Sequence, residues 1–84
     1  MQLRRDNLTW QVAGDEVVVL DLQGSVYLKL NGSARALWER LSERASEADL
    51  ASVLVDRYEV SGERANADVA AFVADLRRRE LLED

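Results

Sequence analysis

Cysteine, histidine and proline are all absent from this 84-residue chain. Without cysteine there can be neither disulfides nor thiolate metal sites. Without histidine the commonest metal ligand and the commonest general base are both missing. No apolar run approaches membrane-spanning length, and Arg4 and Arg5 are not followed by the apolar stretch of a signal peptide. A cytoplasmic protein with no membrane partner is therefore expected. Positive charge is also scarce, with 11 Lys and Arg against 16 Asp and Glu for a net charge of −5. A nucleic-acid binder must neutralise phosphates, and an acidic domain forgoes that unless its bases cluster. The one cluster is Arg77-Arg78-Arg79, followed at once by Glu80, and it suits the last turn of a helix, where cations favour the helix dipole. Glycine-rich phosphate loops, Ser-His-Asp or Cys-His arrangements and metal-ligand spacings are missing as well. Asp68 and Asp75 are two helical turns apart, about 10 Å along the axis, too far for direct coupling. The expectation is a protein that is not an enzyme and uses no cofactor or metal.

What the chain does have is an ordinary globular balance, 48% hydrophobic and 32% charged. Its length predicts one small domain over residues 1–84 with a modest core. The first third reads as three strands. Residues 7–12 alternate, with Leu8, Trp10 and Val12 on one side, and Ala13-Gly14-Asp15 then turns the chain. Residues 16–22 are apolar nearly throughout, which suits a central strand packed on both faces or paired on both edges. Gln23-Gly24 turns again before residues 25–30. Short connections predict an antiparallel meander whose first and third strands are edges.

From Asn31 the apolar period lengthens to about 3.6 residues. Ala34, Leu37, Trp38 and Leu41 form one stripe, with Asn31 or Ser33 as its cap. Ser46 and Asp49 form a weaker version of a capping box ahead of Leu50, Val53, Leu54 and Tyr58. Ser61-Gly62 caps a third, longer helix carrying Ala65, Val69, Phe72, Val73 and Leu76, after which Leu81-Leu82 packs back on the core. The predicted fold is α+β, a three-stranded antiparallel sheet followed by three helices.

Two features rise above this background. The third strand, Ser25-Val26-Tyr27-Leu28-Lys29-Leu30, ends the sheet with one charge and no proline or bulge signal along its middle. An open edge of that kind is a liability or a docking site. On the third helix, Asp68, Phe72, Asp75, Leu76 and Arg79 share a face turned slightly away from the purely apolar one. Strand and helix together would make a groove with a hydrogen-bonding wall, an apolar floor of Val26, Leu28, Phe72 and Leu76, and a charged rim. Such a groove suits an extended peptide added as a fourth strand. Tyr27 falls on the opposite face, as surface packing or as a contact to a partner. Two competing readings are self-association through the third strand and a winged-helix DNA-binding regulator, the latter disfavoured by the acidic charge.

The same residues carry a family resemblance. The stretches "GSVYLKLNGSARALWERL", "LVDRYEV" and "ADVAAFVADLRRRELL" resemble, in order and spacing, the PqqD-like recognition domains of ribosomally made, modified peptides (RiPP recognition elements). The most specific element is Tyr27, Leu30 and Asn31 on a strand, then a helix with Trp38; Asp68, Val69, Phe72 and Leu76 support it. The chain looks most like the stand-alone B-type proteins of lasso-peptide biosynthesis, with the pyrroloquinoline quinone precursor chaperones as the alternative. The resemblance implies a winged helix-turn-helix-like fold. It also implies a monomer that binds a precursor's leader peptide antiparallel to the third strand, beside the third helix. The peptide-binding residues would be Ser25, Val26, Tyr27, Leu28, Lys29 and Leu30 with Asp68, Phe72, Asp75, Leu76 and Arg79. The implied partners are a leader peptidase and a macrolactam synthetase. One departure is Glu80, where such proteins commonly have glycine, and it leaves the end of the third helix open.

Overall fold

The computed structural model describes residues 1–84. Its elements, in chain order, are β1 (Gln2–Leu3), β2 (Leu8–Ala13), β3 (Glu16–Asp21), β4 (Val26–Asn31), α1 (Gly32–Leu41), α2 (Glu47–Tyr58), α3 (Gly62–Arg78) and β5 (Leu82–Glu83). The three predicted strands are thus β2, β3 and β4, and they form an antiparallel sheet in that order. The predicted meander, the three helices and the α+β class are all present, in an arrangement that resembles a winged helix-turn-helix.

The register explains which side chains turn inward. Rows Leu8–Asp21–Val26, Trp10–Val19–Leu28 and Val12–Val17–Leu30 share one face, and Thr9–Leu20–Tyr27 and Gln11–Val18–Lys29 share the other. Val17 and Val19 are completely buried under the helices, whereas Leu20 and Tyr27 are exposed. β3 is therefore paired on both edges but covered on one face only, so its apolar run reflects its central position rather than two-sided packing. The core gathers Val17 and Val19 with Leu37, Trp38 and Leu41 of α1, Leu50 and Leu54 of α2, and Val69, Val73 and Leu76 of α3. Tyr58, placed on the inner stripe of α2 by its spacing, is instead exposed.

Helix boundaries follow their caps. Ser46 accepts from the Asp49 amide at 3.1 Å while Asp49 accepts from the Ser46 amide at 3.0 Å, so the short aspartate does complete a capping box. Ser61 caps α3 by accepting from Arg64. Asn31 occupies the cap of α1 without a side-chain hydrogen bond.

A second, two-stranded sheet was not foreseen. β1 pairs with β5, Gln2 opposite Glu83 and Leu3 opposite Leu82. Met1 and Ala45 exchange backbone hydrogen bonds beside it. The buried Leu3 and Leu81 seal this end of the core.

The end of α3 is now settled. The Leu81 amide bonds to the Leu76 carbonyl and the Glu80 amide to the Arg77 carbonyl, each at 3.0 Å. This paired closure places Glu80 in the left-handed region at φ 60°. A side chain is strained there, at about 1–2 kcal/mol for an L-residue. Glycine relieves the strain but adds backbone freedom to the unfolded chain. Glu80→Gly is therefore expected to stabilise the domain by about 0.5–1 kcal/mol, read as a raised Tm. A lowered Tm would show that the Glu80 side chain supplies something this geometry does not contain.

Candidate functional site

β4 has a neighbour on one side only, so its outer edge carries backbone groups with no partner strand. Along it Val26, Leu28 and Leu30 are half-buried and point to the helix side, while Tyr27 and Lys29 point outward to solvent. The strand begins at Val26; Ser25 precedes it in the turn, at φ 56°. Ser25 therefore belongs to the corner of the site, not to its hydrogen-bonding wall.

On α3 the buried stripe is Ala65, Val69, Val73 and Leu76. Phe72 is half-buried beside it and packs, like Leu28 and Leu30, against the common core. The side chains of Asp75 and Arg79 are each about two-fifths exposed, and Asp68 lies further out. The mixed face anticipated from sequence is thus present, with one revision. Leu76 is only 1% exposed and belongs to the core, so it is not open to a peptide, whereas Phe72 and Leu28 keep part of their apolar surface exposed.

The rim charges are already paired with each other. Asp68 meets Arg64 at 3.6 Å, and Asp75 accepts from both Arg78 and Arg79 Nε, the latter at 3.2 Å. Exposed pairs of this kind contribute little, about 0–1 kcal/mol, so they can exchange partners when a charged ligand arrives. No hydrogen bond or ion pair links β4 to α3. The two elements are joined through the shared core, and the surface between them is free of polar bridges.

One end of β4 is fastened by a cluster that sequence reasoning missed. Asp21 is 5% exposed and is the one charged side chain in the buried set. Its Oδ1 accepts from the Gln23 and Gly24 amides at 3.1 and 3.2 Å and from Arg4 Nη2. The Arg4 hydrogen bond, above all, holds the Asp21 carboxyl below its ordinary range; the two amides add to this and desolvation opposes it. Arg4 also donates to the carbonyls of Asp6 (2.9 Å), Glu80 (2.7 Å) and Asn7 (3.2 Å). The available signal was strand alternation, because the next residue in the series Val17, Val19, Asp21 must also face inward. A carboxylate there requires a cation nearby.

Two concavities lie away from this site. One of about 310 Å³ is bordered by Asp15, Arg35, Glu39, Arg57 and Tyr58, and one of about 260 Å³ by Leu3, Arg5, Leu8, Trp10 and Ser42. Neither includes a residue of β4 or α3. Enclosed cavities suit small molecules, whereas an edge that accepts a strand is an open surface. No group of three carboxylates stands close enough to hold a metal ion, and no helix is long and apolar enough to cross a membrane.

Comparison with known proteins agrees with this geometry. No curated protein sequence matches the chain. Among solved structures, TbiB1 in complex with the TbiA(beta) leader peptide superposes with a TM-score of 0.90 at 28% identity, covering 99% of this chain and 95% of that one. The lasso peptide synthetase B1 complexed with the leader peptide gives a TM-score of 0.84 at 29% identity, with both chains covered completely. The family described as coenzyme PQQ synthesis protein D (PqqD) matches residues 16–82, a span running from the first residue of β3 into β5. With that match over most of its length, and two leader-bound lasso B1 proteins sharing its whole fold, the chain belongs to the PqqD family as a RiPP recognition element of the lasso-peptide type.

Proposed function

We propose that this protein binds the leader peptide of a ribosomally made precursor by adding it as a strand to the free edge of β4, in the groove beside α3. The observation that carries the reading is the unpartnered edge of β4, with Leu28 on that strand and Phe72 on α3 both half-buried, in a chain that shares its full fold with two leader-bound proteins. Backbone hydrogen bonds to residues 26–31 would supply affinity, and apolar leader side chains over Leu28 and Phe72 would supply selectivity. Rim charges at Asp68, Asp75 and Arg79 would set the register.

The protein then acts without chemistry of its own. Holding the leader keeps the attached core peptide close to a leader peptidase and a macrolactam synthetase, which raises its effective concentration at both. The test is titration of a fluorescently labelled leader peptide of a lasso-peptide precursor, with amide shifts followed by NMR. Saturable one-to-one binding that shifts residues 26–31 and 68–79 is expected. Absence of saturation, or shifts confined to β2, would sink the proposal.

A further inference from the structure

Arg4 lies outside the proposed peptide-binding face yet bonds just beyond α3 and, through Asp21, to the turn that leads into β4. Its guanidinium donates to the Glu80 carbonyl, immediately beyond α3, and to the Asp21 carboxylate at the last residue of β3. Asp21 in turn holds the Gln23 and Gly24 amides of the turn that launches β4, and stands opposite Val26 in the register. Arg4 Nε and Nη2 also donate to the Asp6 and Asn7 carbonyls, while the Arg4 backbone amide donates to the Leu81 carbonyl at 2.8 Å. The turn has no slack. A Cβ on Gly24 would sit 2.8 Å from Asp21 Oδ2, and Ser25 is held at φ 56°. Between the start of β4 and the end of α3 there is no other polar link, so this cluster is the polar link that fixes their separation.

An incoming strand needs that separation. It must lie about 4.7–4.9 Å from β4 to form its ladder and still meet α3 with its side chains. Small errors in a supporting shell loosen such a site without unfolding it. Resting on the peptide-binding reading above, we infer that Arg4 is a positioning residue for the leader: through Asp21 and Glu80 it sets the spacing of β4 and α3 at the Val26 end of the groove. The planar fork of arginine is required, because a lysine ammonium cannot reach carbonyls and a carboxylate on several sides at once.

The test compares leader affinity among variants measured well below their own melting temperatures. Arg4→Gln and Arg4→Lys should both bind the leader at least tenfold more weakly while remaining folded, with amide shifts at residues 26–28 and 76–80 even in the free protein. Gly24→Ala pushes on Asp21 from the other side, and should weaken binding in the same way should Arg4→Gln fail to fold. Ser46→Ala removes the α2 capping box and lowers Tm at a site remote from the groove. Arg5→Ala removes the neighbouring exposed arginine. Both should bind as wild type does. Affinity within twofold of wild type in the Arg4 and Gly24 variants, with only Tm reduced, overturns the inference and leaves the leader site standing. Failure of the wild-type protein to bind overturns the leader site itself, and this inference with it.

Discussion

Trp38→Ala should lower the unfolding free energy by about 3–5 kcal/mol, enough to leave much of the protein unfolded at 37 °C. Trp38 is completely buried in α1 and meets the ring of Trp10 edge to face, with centroids 5.5 Å apart and planes at 85°. Alanine removes the largest side chain of the core and that aromatic contact, which itself contributes about 0.5–1.5 kcal/mol beyond area. Domains hold a margin of about 5–15 kcal/mol, and one of this length sits toward the low end. Trp38→Phe provides the contrast. The Trp38 Nε1–H is buried with no acceptor, so phenylalanine deletes an unsatisfied donor while keeping most of the ring. Its loss should be less than half that of alanine. Urea denaturation followed by Trp10 fluorescence checks both. Equal losses would mean that Nε1 has a partner in solution, and a loss under about 1 kcal/mol for alanine would mean the site collapses to fill the gap.

Trp38 also shows why the main architecture could be read before the structure. Period-2 alternation on β2 and β4 and the 3.6-residue stripes of the helices are repeated many times over, so each boundary came within a residue or two. The central strand was ambiguous because an apolar run fits either pairing on both edges or cover on both faces. The register resolves it in favour of pairing. Two-residue strands such as β1 and β5 have no period to detect, and their pairing spans nearly the whole chain. Backbone turns were harder still. Gln23-Gly24 was legible as a turn, but not that Ser25 takes the positive φ there while Gly24 lies close against Asp21. The mixed face of α3 was legible from spacing alone, whereas depth was not. Phe72 and Leu76 are both apolar and four residues apart, yet one is reachable and the other sealed. Arg4 carried no local signal for this role, since the Asp21 and Glu80 acceptors that give it one are set by tertiary structure.

Strand addition at β4 makes a prediction that side-chain contacts alone would not. In an antiparallel pair, successive residues alternate between directing both backbone groups to the partner strand and directing both away. Leu28 and Lys29 therefore differ: one bonds to β3 and the other presents its N–H to the open edge. Proline at the first kind of position breaks the ladder and should destabilise the fold. At the second kind, an edge strand tolerates proline, but the ring removes an outward donor and blocks the approach of a new strand. Of Leu28→Pro and Lys29→Pro, one is thus expected to fold poorly and the other to fold well while binding leader at least tenfold more weakly, about 1.4 kcal/mol. Leu28→Ala and Lys29→Ala separate this backbone effect from loss of the side chains. The far edge supplies the control. β2 is equally unpartnered and carries no charge from Leu8 to Ala13, so by edge exposure alone it could also accept a strand. On the reading proposed above it lacks the second wall, because the Arg4 cluster ties the end of α3 to the turn that launches β4. Prolines at Thr9 and Trp10 should therefore leave the affinity of any folded variant unchanged. A loss of binding there, with the tolerated β4 proline neutral, would move the leader to β2 and make the face of Phe72 an ordinary border of the core.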